Sequence, residues 1–270
     1  MGQLRNRKRN LFLLDLMEKS EQLQIYVLTH KIPPYGLPDD EYRTPIHCGK
    51  SLNDSFVCEL GDNTGDNISC KNPWFVEDTG IYWIWKNDVH PYVGHFQYRR
   101  RLDIEPDKVK DLVDKYGIIV PRPLNLFVSV KTHYDMCHIT SDLELCESIV
   151  KEFYPDYSKS WDRYINKGRV LYYSSAFITT REKYNEICEF IFSVLFEFER
   201  RIGCVTKEEW VKHGELSSSL GNPHRGEMSN AEYQSRVCGY LFERLFTLYV
   251  RHNFKCPCEV SYVLMENTNV

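Results

Sequence analysis

No CxxC pair occurs anywhere in the sequence, and nothing in it matches the two half-sites of a structural zinc domain. The ten cysteines fall singly along the chain, the closest two being Cys256 and Cys258. The basic start and the apolar run 11–17 do not form a secretory signal, because Asp15 interrupts the run and no small-residue cleavage site follows. Reduced thiols in a cytoplasmic protein are therefore expected. Long hydrophobic runs are missing too: nothing approaches the ~20 apolar residues of a membrane-spanning helix. Charge of one sign is not in excess, since 34 Lys and Arg against 38 Asp and Glu give a net charge of −4. That balance supplies no basic field for a nucleic acid, and no nucleic-acid partner is expected. The absence of repeats, low-complexity blocks and long linkers leaves 270 residues for one α/β domain, here 23–264, with a helical C-terminal part and a tail at 265–270.

Aromatic residues, by contrast, are plentiful at 14%, with 18 tyrosines. A tyrosine offers a flat apolar face and a polar tip, which suits sugars and bases but also fills ordinary cores. At the N-terminus Arg5, Arg7, Lys8 and Arg9 precede the apolar run, and Asn6 stands where a myristoylation signal needs serine or threonine. A helix over 1–22 either docks on the domain, the favoured reading, or lies through residues 5–17 on the anionic inner face of a membrane.

Along the chain, periodicity and breakers predict strands at 23–29, 92–97, 117–121, 170–180 and 259–264, with a shorter one near 45. Helices are expected at 77–87, 106–115, 141–153, 182–202 and 231–250. Residues 122–138 read as a mixed loop. Residues 203–230 read as a loop-rich segment, either mobile over a site or a surface excursion. The stretch Tyr92-Val93-Gly94-His95-Phe96-Gln97-Tyr98-Arg99-Arg100-Arg101 organises the rest. Ligands of open α/β sheets bind beyond the carboxyl ends of strands, and three guanidiniums placed there suit a phosphate or diphosphate. A solvated basic turn is the equal alternative. Asp39-Asp40 read as a solvated loop rather than a metal pair, and the polar stretch 61–73 lacks the glutamate of a calcium loop.

The ordered motifs resemble a bacterial capsular-polysaccharide and lipopolysaccharide glycosyltransferase family, domain of unknown function 4422. They are Thr29-His30-Lys31, Pro45-Ile46-His47-Cys48-Gly49, the long signature from Asp62 to Asn72, Tyr82 to Asn87, Gln97-Tyr98-Arg99-Arg100, and Gly239 to Leu245. The resemblance runs over about 24–251. It departs at Gln97, where the family has histidine, and at Ser175-Ala176-Phe177, where it has Asn-Met-Phe.

The resemblance implies a GT-A-like, Rossmann-type α/β sandwich with a mostly parallel central sheet flanked by helices. It also implies transfer of a hexose from a nucleotide diphosphate sugar, UDP-galactose or UDP-galactofuranose, to a growing lipid-linked surface glycan. Where that fold commonly carries a metal-binding Asp-x-Asp, this chain carries Gln97 to Arg101, so arginines are expected to replace the metal. No cofactor is expected; Mn²⁺ or Mg²⁺ on Asp39-Asp40, Asp62 with Asp66, or Asp103 is the alternative. Arg99 and Arg100 would stabilise the leaving diphosphate and Glu243 would be the base, unless it only pairs with Arg236 or Arg244. Thr29, His30, Lys31, Asp66, Asn67, Lys71, Asn72, Tyr98 and Arg101 would hold the donor. Ser175, Trp83 and His138 would meet the acceptor. His138 and Asp142 are reserve bases, while His47, His133 and the aromatics Tyr82, Trp83 and Trp85 read more readily as structural. A catalytically impaired glycan or nucleotide-sugar binding protein is the competing reading. A phosphohydrolase or nuclease lacks a metal or nucleophile set.

Overall fold

The structure, a computed structural model, describes residues 22–38, 40–174, 176–217 and 219–265. The expected N-terminal helix, Asp39, Ser175 and the tail from 266 lie outside the described residues.

Among the described residues eleven strands are formed: β1 (Leu23–Thr29), β2 (Arg43–His47), β3 (Leu60–Gly61), β4 (Tyr92–Gln97), β5 (Arg100–Leu102), β6 (Ile118–Pro121), β7 (Leu124–Asn125), β8 (Val170–Leu171), β9 (Phe177–Thr180), β10 (Cys258–Val260) and β11 (Tyr262–Leu264). Nine of them make one sheet, in the order β10-β6-β9-β4-β1-β2-β3, with β5 and β11 attached beside β4. Six of the seven strands on that path point the same way, and β9 runs against them. The sheet is thus mixed in pairing and mostly parallel in direction, as expected. β7 and β8 form a separate ribbon.

Alternation along the strands builds two cores. Leu23, Ile25 and Val27 of β1 face one side with Phe96, Ile119 and Ile178, and meet Val109 and Val113 of helix 106–116. Tyr26 and Leu28 face the other side with Val93, Ile118, Val120 and Phe177, under the larger set of helices. Both faces are covered, so the strands read as nearly continuous apolar runs. Gly94 lets β4 and β9 approach: a Cβ there would lie 2.5 Å from Ile178 Cγ1 and 2.7 Å from the Phe177 carbonyl oxygen.

The helices are α1 (Asn72–Phe75), α2 (Asp78–Asn87), α3 (Pro106–Tyr116), α4 (Val130–Cys137), α5 (Thr140–Phe153), α6 (Ser158–Trp161), α7 (Arg181–Ile202), α8 (Lys207–Gly214), α9 (Ala231–Gln234) and α10 (Val237–Asn253). Among the described residues, no helix is long and apolar enough to cross a membrane. Of the cysteines, Cys48, Cys137, Cys146, Cys188 and Cys238 are buried, and Cys70 and Cys256 are exposed.

Four expectations are corrected. The mixed loop 122–138 contains α4, started by Ser129, whose hydroxyl accepts the Thr132 N–H at 3.1 Å. The single strand 170–180 is broken between β8 and β9. There the Tyr172 N–H goes to Thr247 Oγ1 and the Ser174 N–H to Glu243, so neither amide extends a ladder. Segment 203–230 is not loop throughout: α8 carries a reciprocal capping box between Thr206 and Glu209 and buries Trp210 completely. The last helix is interrupted at Ser235-Arg236, where Arg236 leaves helical geometry with ψ 35°, and α10 then runs on to Asn253.

Candidate functional site

Three parallel strands end together. Thr29 of β1 lies beside His47 of β2, and Leu28 lies beside Gln97 of β4. The Tyr98 N–H donates to the Leu28 carbonyl at 3.0 Å and the Cys48 N–H to the Thr29 carbonyl at 2.8 Å, which carries the pairing one residue past each strand. The Thr29 hydroxyl donates to the Lys31 carbonyl at 2.5 Å and turns the chain away. The result is a shelf of carboxyl strand ends, the usual ligand position in such sheets.

A cleft of about 380 Å³ opens above this shelf. It is lined by Thr29, His30, Tyr98 and Arg99 from the strand ends, by Asn72, Val76 and Glu77 from α1 and the turn after it, and by Lys207, Glu232, Ser235 and Arg236 from the later helices. The basic groups are Arg99, Arg236 and Lys207. Lys207 pairs with Glu232 at 2.7 Å. Neither Arg99 nor Arg236 has an ion-pair partner among the described residues, and both side chains are exposed. Burial pushes the His30 imidazole below its ordinary value, with Lys31 and Arg99 adding repulsion, and its ring meets Tyr98 edge-on at 5.5 Å.

A second cleft of about 320 Å³ adjoins the first and shares Val76, Glu77, Gln97, Arg99 and Arg236 with it. It is lined by Asp78, Glu243, Arg100, His133, His138, Tyr173, Tyr233, Tyr240 and Arg244. Arg100 lies over the Tyr173 ring at 4.7 Å and donates to Gln97 Oε1 at 3.0 Å. The Gln97 amide in turn donates to Glu77. Glu243 accepts the Ser174 N–H at 2.9 Å and pairs with Arg244 at 2.9 Å. Burial pushes the Glu243 carboxyl above its usual range, against Arg244 and the Ser174 amide. Arg244 is 2% exposed, lies 5.0 Å from the Tyr134 ring, and leaves its Nε without a hydrogen-bond partner among the described residues. His138 stacks on Tyr240 at 3.9 Å, and burial pushes it down to about 3.

Several expected residues lie elsewhere. Lys71 pairs with Glu199 on α7, which also accepts the Trp74 indole N–H at 3.0 Å. Asp66 accepts the Tyr82 hydroxyl, Asn67 bonds within its own turn, and Asp62 takes the amides of Gly49 and Lys50 and the Ser69 hydroxyl. The long 62–72 signature thus knots the loop to itself and to α2. Trp83 packs on Tyr26 and donates to Thr64, in the core rather than on either cleft. Arg101 is in β5, paired with β11, and Lys31 is exposed beyond the shelf. Of the alternative metal ligands, Asp40 is bonded to Arg43, and Asp103 is exposed and apart from both clefts. Asp142 bonds His213 at 2.8 Å, away from the clefts. Glu243 pairs with Arg244, not with Arg236.

Glu77, Asp78, Lys207 and Arg236 were not singled out as functional by the sequence. The sequence places Glu77 and Asp78 only at the start of a helix, and Arg236 inside the last helix, where it is considered only as a partner for Glu243. The one sequence signal for the last was the Ser235-Arg236 break, which periodicity hides.

No curated protein matches the sequence. Among solved structures, the apo form of the bifunctional glycosyltransferase WbbM has the same fold, with a TM-score of 0.72 and 24% identity over 91% of this chain. The match covers 46% of that protein, so the chain spans about half its length. The family model described as domain of unknown function DUF4422 matches residues 24–213, ending before Arg236 and Glu243, and the chain belongs to that family.

Proposed function

We propose that the protein is a glycosyltransferase that holds the diphosphate of a nucleotide sugar in the first cleft and the acceptor glycan in the second. One observation carries this reading: two adjoining clefts at the carboxyl ends of parallel strands, the first with two guanidiniums that have no ion-pair partner among the described residues and the second with carboxyl groups and aromatic rings. The fold shared with WbbM, whose title names it a bifunctional glycosyltransferase, supports the same class.

In such a transfer the bond from the anomeric carbon to the diphosphate oxygen breaks, and its electron pair leaves with the diphosphate. Arg99 and Arg236 would neutralise the charge that builds there, which stabilises the transition state more than the ground state. Arg99 thus keeps the expected role, Arg236 joins it, and Arg100 faces the acceptor side. Thr29, His30, Asn72 and Tyr98 would shape the donor site. His138, on its stack with Tyr240, would line the acceptor site. The guanidiniums suit metal-independent binding of the diphosphate. A hexose on uridine diphosphate as donor and a lipid-linked surface glycan as acceptor, met at the membrane's inner face, complete the reading on the family resemblance.

The competing reading, a binding protein without turnover, is favoured by Gln97, which stands at the family's histidine position and hydrogen-bonds Glu77. Release of UDP from UDP-hexoses separates the two. Turnover above the enzyme-free rate supports a transferase; binding without release supports the alternative.

A further inference from the structure

Three carboxyl groups surround the second cleft, and they differ in what holds them. Glu243 has both oxygens engaged, one by the Ser174 N–H and one by Arg244. Asp78 is 2% exposed, and its Oδ2 has no hydrogen-bond partner among the described residues. Burial, with Glu77 and Glu243 nearby, drives the Asp78 carboxyl well above the usual carboxylate range and disfavours its charged form. Glu77 alone of the three lies on the wall common to both clefts, with Gln97, Arg99 and Arg236.

Its position is imposed by the backbone. Val76 sits at φ 47°, ψ −130°, a conformation that a β-branched residue adopts only under constraint. The Asn72 side-chain amide donates to the Val76 carbonyl at 2.6 Å. From the other side α10 presses in at Gly239, where a Cβ would lie 2.4 Å from Val76 Cγ2. Glu77 follows as the residue before the first turn of α2. The orientation of Gln97 is fixed as well. Arg100 only donates, so Gln97 must turn its oxygen to Arg100 and its NH₂ to Glu77. Such an amide can steer the carboxylate but cannot take its proton.

Resting on the transferase reading, we infer that Glu77 is the general base of the reaction and that Gln97 is its positioning residue. The acceptor hydroxyl, entering from the second cleft, gives its proton to the Glu77 carboxylate as its oxygen bonds the anomeric carbon. The diphosphate leaves into the first cleft with the electron pair of the broken bond. Charge and atoms balance without a co-reactant, and the displacement inverts the anomeric carbon. Glu243, the carboxylate chosen from the sequence, instead forms a fixed wall of the acceptor site. Burial raises the Glu77 carboxyl against its own backbone amide and the guanidiniums of Arg236, Arg100 and Arg99, which moves it toward the working range of a base.

The test uses the full chain, titration with UDP, and UDP release from a panel of UDP-hexoses with water or octyl galactoside as acceptor. Glu77→Gln is expected to lower kcat on the order of 100-fold or more while the Kd for UDP changes less than about threefold, because the donor cleft is intact. Gln97→Ala should move the acid limb of the kcat profile, which a merely structural residue would not do. Glu243→Gln should act mainly on KM for the acceptor. Turnover by Glu77→Gln within threefold of the parent overturns the inference and leaves the transferase reading standing. Loss of UDP binding in Glu77→Gln also overturns it, by showing a structural role. A parent protein that binds UDP but never releases it from a donor, or binds no UDP at all, sinks the transferase reading and the inference with it.

Discussion

Arg99 and Arg100 are neighbours in sequence but differ in what they reach. Arg99 reaches both, whereas Arg100 lies on Tyr173 in the second. Charged hydrogen bonds contribute about 1.5–3 kcal/mol each, so Arg99→Ala should weaken UDP binding by tenfold or more in a titration. Arg100→Ala should leave UDP affinity within about threefold and reduce turnover. His138 makes a second prediction. Its folded value of about 3 lies below the ordinary histidine value of about 6.5. The unfolded chain therefore binds a proton that the folded chain refuses, and stability is lost as pH falls from about 6.5 toward 3. One such group contributes up to about 1.4 kcal/mol per pH unit in that window. Denaturant midpoints at pH 7 and pH 5 should differ less in His138→Gln than in the parent. Some slope will remain, because burial also lowers His30 and His47.

At the scale of elements, the site depends on how closely α10 packs on the turn between α1 and α2. Gly239→Ala would ordinarily favour a helix by about 0.8–1 kcal/mol. Here the new Cβ meets Val76, whose constrained backbone cannot retreat, and overpacking of this kind costs about 1–3 kcal/mol. Gly239→Ala should therefore lower the melting temperature, and adding Val76→Gly should recover part of the loss. Additive effects in that double-mutant cycle would contradict the contact. These details also mark where sequence stops being informative. The strands and long helices were legible because apolar spacing repeats over many residues, as in β1, β4, α3 and α7. Helix α4 was not, because its start rests on one serine and its eight residues bury only Val130, Tyr134 and Cys137, too short a stripe to repeat. The break at Ser235-Arg236 and the turn at Val76 were not, because both are imposed by neighbours distant in sequence. The Thr206/Glu209 capping box was present in the sequence and could have placed α8.

For the whole molecule, the strand-end shelf and Arg99 were legible, because ligand position follows sheet topology and guanidiniums announce themselves in a short run. The 62–72 signature was legible as a motif, but its placement was not. Asp62, Asp66, Asn67 and Lys71 bond to protein groups, and only Asn72 of that signature's proposed donor residues reaches a cleft. A motif of polar residues carries the same letters whether it binds a ligand or ties a loop. Of the second cleft the sequence named Arg100, His138 and Glu243, but not their meeting with Glu77, Tyr173 and Arg236, which takes the tertiary packing of α2, α9, α10 and the β8–β9 connection.

The central claim is that the first cleft binds a nucleoside diphosphate through guanidiniums. The most direct measurement is the thermal transition of the full chain with UDP and UDP-hexoses in excess EDTA, beside Arg99→Ala and Arg236→Ala. At about 100 times Kd, a ligand adds roughly 2.7 kcal/mol of stability, so the expected result is a clear upward shift with EDTA present that shrinks in both variants. A shift that appears only with added manganese, or is unchanged in both variants, would contradict it.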